Sequence, residues 1–298
     1  MPLHLFSIMA SMASQWPLNG LSMASQWPLS GLSMASQWPL SGLSMASQWH
    51  CLVKILSHDF TLQPVNFLEH IKSTRGEDPG FEVLLASTKQ LKNIAGYEIS
   101  RGCLGCGRIP SYASDESYLM DMLRSKRREG GVLRVIALDK VSDCSNLGSI
   151  IRCASAFEFD AIVLSDDCCD QWYRRTIRVS MGHIFRVPVI RVTSLIDTLT
   201  TIKRELGVSS HAAVVDDSSC FLDELTAQDL NISPDGGGGG YCVVLGNEGE
   251  GIRPEVSEVC DKKVKIRMAS EVDSLSVVVA TGIILYAVRE IETKARGR

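Results

Sequence analysis

The stretch YCVVLGNEGEGI, residues 241–252, runs from an apolar segment into a turn of three glycines interleaved with one amide and two carboxylates. A buried strand that ends in a glycine-rich turn ordinarily cradles a phosphate, because bare backbone N–H groups can close on an anion. Glu248 and Glu250 argue against that ligand here. The segment therefore predicts a strand followed by a tight, acidic turn for another kind of ligand, and its neighbours decide what sheet it belongs to.

Outward from it the pattern repeats. VLRVIAL (132–138), DAIVL (160–164), VPVI (187–190), HAAVV (211–215) and KVKI (263–266) are short β-rich runs. Helical stretches lie between most of them, and a long apolar helix from about Ser274 to Glu292 closes the chain. Strands alternating with helices predict an α/β domain with a largely parallel sheet. The pentaglycine at 236–240 is expected as a flexible loop before the fifth strand.

Upstream the chain divides twice. Residues 1–50 carry SMASQWP at 11–17, 22–28 and 33–39, and SMASQWH at 44–50, a period of 11 residues. Such a period suits a right-handed helical supercoil, yet Pro17, Pro28 and Pro39 would break the helix once per repeat. The tract is read as low-complexity and disordered. Residues 51–130 are globular but irregular. FEVLLAS (81–87) reads as a strand and STKQLKNIAGYEI (87–99) as a short helix ending near Gly96. RGCLGCGRIP (101–110) reads as a glycine-rich bend, and Asp115 to Arg128 as a helix with a basic end, RSKRR. That basic end fits either a solvated terminus complementing the helix dipole or an RNA contact. Residues 131–298 form the α/β domain.

Composition excludes several classes. The 298 residues are 45% hydrophobic and 21% charged, with a net charge of −4, so a broad polyanion binder is disfavoured while a local basic groove is not. The ten cysteines are scattered, several within apolar runs, as reduced core thiols are. The CxxC at Cys103 and Cys106 has neither a second cysteine pair nor a histidine pair, so no metal site is expected. The longest apolar candidate for a membrane span, Leu275 to Val288, has 14 residues, short of a bilayer crossing. The chain is expected to be intracellular. The first 50 residues lack acidic side chains, as transit peptides do, but also lack Lys and Arg, so cytoplasm and organelle both stay open.

Three constellations sit where strands end. The first is DKVSDCSNLGSIIRCASAF (139–157), a polar turn entering a helix with Asn146 near its start and Arg152 among Ile150, Ile151 and Ala154. An unpaired charge in apolar company is costly, so Arg152 is either half of a structural ion pair or a ligand for phosphate or hydroxyl. The second is the opening stretch. The third is KVKIRMASEVDSLSVVVATGIILYAV (263–288), a strand, a loop, and a helix expected to be capped by Asp273-Ser274. WYRRTIRVSMGHIFRVPV (172–189) adds Arg174, Arg175, Arg178 and Arg186 beside aromatic residues, a composition suited to RNA phosphates and bases.

In this order, NLGSIIR, LGNEGEGI and IRM…SLSV resemble the three motifs of the SpoU (TrmH-like) branch of the SPOUT RNA methyltransferases. The resemblance covers about 131–298, and VLLASTKQLKNIAGYEISRGCLGCGRIP looks like the end of that family's N-terminal RNA-binding domain. It implies a trefoil-knotted α/β domain preceded by a partial small α/β RNA-binding domain, acting as a homodimer with no membrane association. It also implies S-adenosylmethionine as cofactor, tRNA or rRNA as partner, and methyl transfer to a ribose 2′-hydroxyl. Leu245, Gly246, Ile266, Met268 and Leu275 would contact the cofactor, with Gly246 admitting its close approach. Arg152 would bind the RNA phosphate and steady the forming alkoxide, since a guanidinium is a poor base. Asn146 and Glu248 would orient it, and Ser274 and Ser276 would complete the site; Arg174, Arg175 and Arg178 would hold RNA. His183 is read as structural.

Two positions depart from the family pattern. Ser276 stands where Asn is usual, and Arg267 where Pro is usual, which is expected to loosen the loop. These departures favour the alternative of an RNA-binding scaffold that has lost transfer, while Arg152 and Glu248 argue for the enzyme. A nicotinamide dehydrogenase is excluded because DKVSDCSN, not GxGxxG, follows the first strand of the domain.

Overall fold

The computed structural model describes residues 51–57, 82–95, 103–107 and 109–297, apart from 217, 234–238 and 273. The repeat tract and the pentaglycine up to residue 238 lie outside them. The chain divides into two compact units between Arg108 and Ile109. Sequence had placed that boundary near 130. The helix at 116–128 belongs to the second unit because its apolar face, Leu119 and Leu123, is fully buried in that unit's core.

In the first unit, β1 (Cys51–Ser57) lies between β2 (Glu82–Ala86), parallel to it, and β3 (Cys103–Gly107), antiparallel to it. The expected glycine-rich bend is thus an edge strand at its CLGCG core, where glycine is tolerated. Helix α1 (Thr88–Ala95) starts after a Ser87-x-x-Gln90 box: Ser87 N donates to Gln90 Oε1 at 2.8 Å and Gln90 N to Ser87 Oγ at 3.3 Å.

The second unit is built on a seven-stranded sheet in the order β6-β5-β4-β9-β7-β10-β8. The strands are β4 (Leu133–Leu138), β5 (Ala161–Leu164), β6 (Val189–Arg191), β7 (Ser209–Ala213), β8 (Cys220–Phe221), β9 (Gly240–Leu245) and β10 (Lys262–Lys265). Every pairing among them is parallel. β8 was not expected; two residues carry no period. Gly240 opens β9 rather than closing a loop, and a Cβ there would lie 2.7 Å from Leu133 Cβ.

The six residues of β4 and of β9 are all buried, as central parallel strands covered on both faces require. On one face Ile136, Leu138, Val243 and Leu245 pack under α3 (Cys144–Ala156) and α7 (Val277–Ala295). On the other, Leu133, Val135, Cys242 and Val244 pack under α2 (Glu116–Arg128), α5 (Leu195–Leu206) and α6 (Pro254–Glu258). A short helix, α4 (Arg174–Val179), lies against α3.

Two of the four basic residues at the end of α2 are ion-paired, Arg124 with Asp121 and Glu205 and Lys126 with Asp160, and these two follow the structural reading of that cluster. Helix α7 is tied to the sheet by a buried carboxylate. Glu292, 2% exposed, accepts from Arg134 Nε at 2.8 Å and Nη2 at 2.6 Å, from Arg289 Nη1 at 2.6 Å and from Tyr241 Oη at 3.0 Å. Burial alone would raise its pKa; the hydrogen bonds and charges of Arg134 and Arg289 overcome that and hold it at about 2. No helix among the described residues is long and apolar enough to cross a membrane.

Candidate active site

Parallel register does the first part of the assembly. Leu138 pairs with Leu245, so the turns that follow β4 and β9 leave the sheet side by side at their carboxyl ends, although the sequence separates them by 107 residues. Ligand sites of open α/β sheets lie at such carboxyl ends.

The turn after β4 is stiffened from within. Asp143 caps α3, accepting from Ser145 N at 2.6 Å and Asn146 N at 3.0 Å, and the Asn146 amide bond is the first cause of its lowered pKa. Asn146 then reaches across: its Nδ2 donates to Glu248 Oε1 at 2.7 Å, and Ser142 Oγ lies 3.5 Å from Oε2. Lys140 and Glu250 pair at 3.5 Å. The two carboxylates that made the glycine turn unsuitable for phosphate thus have partners on the neighbouring turn.

Asn247 organises the glycine turn. Its backbone pairs with Gly251 in both directions, at 2.9 and 3.0 Å. Its Oδ1 accepts from Gly249 N and Glu250 N, and its Nδ2 donates to Lys140 O at 2.9 Å. Below it, Asp139 is fully buried and accepts from Arg253 N, Nε and Nη2 at 2.8, 2.8 and 2.5 Å. Sequence reading missed Asn247, Asp139 and Arg253. The available signal was position, since Asp139 directly follows β4 and Arg253 directly follows the turn, with apolar segments to bury any unpaired charge.

Gly246 has a structural reason to be glycine. A Cβ there would lie 2.2 Å from Gly251 C and 2.3 Å from Ile252 N. The backbone of its own turn occupies that space. Gly246→Ala is expected to displace the 246–252 turn and destabilise the unit by about 3 kcal/mol, read as a lowered midpoint in chemical denaturation; an unchanged midpoint would show that the turn yields freely.

Arg152 lies on α3, six residues and about 9 Å of helix rise beyond Asn146. It is exposed, with no hydrogen bond or ion pair among the described residues. Of the two sequence readings the structural ion pair therefore finds no partner, and the apolar company lies on the opposite, buried side of the helix. The expected orientation of Arg152 by Asn146 and Glu248 has no contact behind it; those two hold each other. Its charge acts instead beside His183, whose pKa is lowered first by burial and then by Arg186 and Arg152. His183 Nδ1 and Ser155 Oγ are 2.7 Å apart, which anchors the ring to α3.

Helix α4 brings Arg174, Arg175 and Arg178, all exposed, alongside α3. Gly148 permits the approach, since a Cβ on it would lie 2.7 Å from Thr176 O and 2.8 Å from Val179 Cβ. The Arg175 charge reaches Asp143 and contributes to lowering its pKa.

The third motif follows β10. Ile266, Met268 and Leu275 are half-buried, and among the described residues the backbone groups of Arg267 and Met268 take no backbone partner. Open peptide edges beside half-buried apolar side chains suit a flat heterocycle such as adenine. Leu245, at the end of β9, is buried with the core face instead. Ser274 is exposed and precedes the helix. The cap of α7 is Ser276, not Ser274, with Val279 N donating to its Oγ at 3.4 Å, and Asp273 lies outside the described residues. The guanidinium of Arg267, where the loop was expected to loosen, stacks 3.7 Å from the Phe221 ring centroid.

The profile of the SpoU rRNA Methylase family matches residues 133–286, which span all three motifs. This chain belongs to the SpoU family. It is 32% identical over 202 residues to an uncharacterized tRNA/rRNA methyltransferase of Mycobacterium tuberculosis, covering 67% of this chain and 64% of that one. It is 30% identical over 207 residues to the 23S rRNA (guanosine-2′-O-)-methyltransferase RlmB of Acinetobacter baylyi, covering 70% of this chain and 77% of that one. The chain thus spans just under two thirds of the mycobacterial relative. Among solved structures, the SpoU methyltransferase AviRb of Streptomyces viridochromogenes aligns with a TM-score of 0.65 at 18% identity, over 87% of this chain and 90% of that one. The AdoMet-bound rRNA methyltransferase of Sinorhizobium meliloti aligns at 0.63 and 22% identity, over 85% of each. These two likenesses establish a SpoU-type α/β fold with a parallel sheet.

Proposed function

We propose that this SpoU-family chain transfers the methyl group of S-adenosylmethionine to a ribose 2′-hydroxyl of tRNA or rRNA. The observation that carries the reading is the junction of the first two motifs: Asn146 and Glu248 join at 2.7 Å, on a helix that also presents an exposed Arg152 with no ion-pair partner among the described residues, next to an arginine-rich helix. S-adenosylmethionine supplies an electrophilic methyl carbon on a positive sulfur. The loop at Ile266, Arg267 and Met268, with Leu275 packed near it, would hold the adenine, and Leu245 and Gly246 would border the cofactor. The acidic turn is compatible with a sulfonium where it was not with a phosphate.

Arg152 then binds the RNA phosphate and stabilises the negative charge left on the 2′-oxygen as the hydroxyl gives up its proton to solvent; that charge is spent as the oxygen–methyl bond forms and the carbon–sulfur bond breaks, leaving a neutral thioether. Arg174, Arg175 and Arg178 hold the RNA backbone, while Ser274 and Ser276 border the reacting groups. Much of the rate comes from alignment of two bound partners. Labelled methyl transfer to unmodified total RNA tests the reading. Label at ribose 2′-oxygens supports it; bound cofactor without label supports the non-catalytic scaffold, for which the serine at 276 speaks.

The knot, the N-terminal RNA-binding role and the dimer belong to the same proposal. Insertion of β9 between β4 and β7, with α7 packed on α3, supports the knotted path. The three-stranded sheet of the first unit supports a small substrate-binding domain there. For the dimer, α7 exposes Val279 (50%), Ile283 (39%) and Tyr286 (57%), one apolar stripe at helical spacing. A second copy of this chain, placed by a twofold axis, would cover it with the same stripe. Tyr286→Glu is expected to shift the protein from dimer to monomer in sedimentation velocity; a dimer that persists would place the contact elsewhere.

A further inference from the structure

The segment between β7 and β9 carries a device that the three motifs do not explain. Strand β8 adds to the outer edge of β10, Cys220 pairing with Val264 and Phe221 with Lys265, and a Cys220 Sγ–Lys263 O contact at 3.3 Å fastens it. This places the Phe221 ring beneath two cations of the adjoining chain. Arg267 Cζ lies 3.7 Å from the ring centroid and Lys265 Nζ 5.0 Å. The same guanidinium is flanked by Asp223, 3.4 Å from its Nε, and Glu224, 3.5 Å from its Nη2. A planar guanidinium stacked on a ring and bracketed by carboxylates has a preferred orientation.

Arg267 lies between Ile266 and Met268, so whatever fixes it fixes the peptide groups on either side. We propose that Phe221, with Asp223 and Glu224, is a positioning element for the cofactor loop: it clamps Arg267 and holds the 266–268 backbone in the shape that receives adenine. The inference rests on the assignment of that loop to S-adenosylmethionine. In this chain a side-chain clamp supplies the rigidity that a proline ring would supply through its fixed φ. An unclamped loop must be ordered at the moment of binding, and that ordering entropy weakens affinity.

The test is calorimetric titration of the full chain with S-adenosylmethionine, alongside thermal unfolding. Phe221→Leu is expected to raise Kd about 5- to 20-fold, an ordering cost of about 1–2 kcal/mol, with an unfolding midpoint close to that of the parent chain. Phe221→Tyr keeps the ring face and is expected to bind like the parent. Arg267→Pro placed in the Phe221→Leu background should recover most of the affinity. In turnover, Phe221→Leu should raise KM for S-adenosylmethionine and leave kcat at saturating cofactor within about 2-fold. An unchanged Kd in Phe221→Leu would overturn the clamp. So would a Kd that rises equally in Phe221→Tyr, or a weakened affinity that tracks a lowered unfolding midpoint and is not recovered by proline. Failure of the parent chain itself to bind S-adenosylmethionine would instead overturn the assignment of the loop.

Discussion

Arg152→Ala is expected to lower methyl transfer by about 10²–10³-fold, the loss measured when one preorganised donor to a developing oxyanion is removed. The same variant should unfold at the parent midpoint, because Arg152 is exposed and gives up no hydrogen bond or ion pair among the described residues. It should also bind S-adenosylmethionine normally, since the cofactor contacts are assigned to other turns. Single-turnover transfer, calorimetry and thermal unfolding on one preparation separate these. Transfer within 5-fold of the parent would remove Arg152 from the chemistry and move attention to the arginines of α4. Arg152→Lys adds a sharper reading. A lysine retains the charge but not the planar fork, so recovery of binding to RNA without recovery of rate would separate phosphate contact from support of the alkoxide.

The largest effect on stability is expected from Glu292→Ala, at about 3–5 kcal/mol. That variant leaves Arg134 buried at 9% exposure without its carboxylate partner, and it frees α7 from the sheet. Glu292→Gln should cost less, since the amide keeps one acceptor for the cluster. The ionisation behind this has a pH signature. Glu292 titrates at about 2 in the fold against 4.5 when free, so its contribution is complete above about 4.5 and is lost as pH falls toward 2. His211, buried on β7, is lowered to about 4, first by burial. Its neutral form is the one that the fold favours, and the protonated unfolded chain gains on it as pH falls from 6.5 to 4. Denaturation midpoints should therefore decline in two stages, and Glu292→Gln should make only the lower one shallower, because Asp229, held at about 2 against the upward push of its burial by hydrogen bonds from Lys262 and Thr226, loses its stabilisation in the same range. A single unaltered decline in that variant would refute the assignment.

The parallel sheet was legible because β4 and β9 are continuous apolar runs closed by polar turns, and such runs read as strands buried on both faces. The two-residue β8 left no trace, as its place is set by β10 and not by its own residues. The cap of α7 moved from Asp273-Ser274 to Ser276 because several serines suit a cap and only the fold decides which peptide is free. The same limit governed the site. Asn146, Glu248 and Arg152 stood out as chemical groups at strand ends, yet the pairing of Asn146 with Glu248 depends on the Leu138–Leu245 register, which sequence does not state. Asp139 and Arg253 were hidden for the same reason: a buried ion pair across 114 residues announces itself only when both strands are in place. Arg267 reads as loosening its loop because the ring it stacks on lies 46 residues upstream, in a segment without periodic signal.

The adjacency of β4 and β9 also bears on how the protein is made. During synthesis the first motif leaves the ribosome about a hundred residues before its partner, and β4 has no neighbour on its β9 side until residues 240–245 have emerged. Contacts of such long sequence separation form late and slowly. Until then the Asp139 carboxylate has no Arg253 to neutralise it, and Asn146 has no Glu248. A nascent chain that is interrupted before β9 thus carries Arg152 and Asn146 without Glu248, so premature release yields a fragment with an open strand edge.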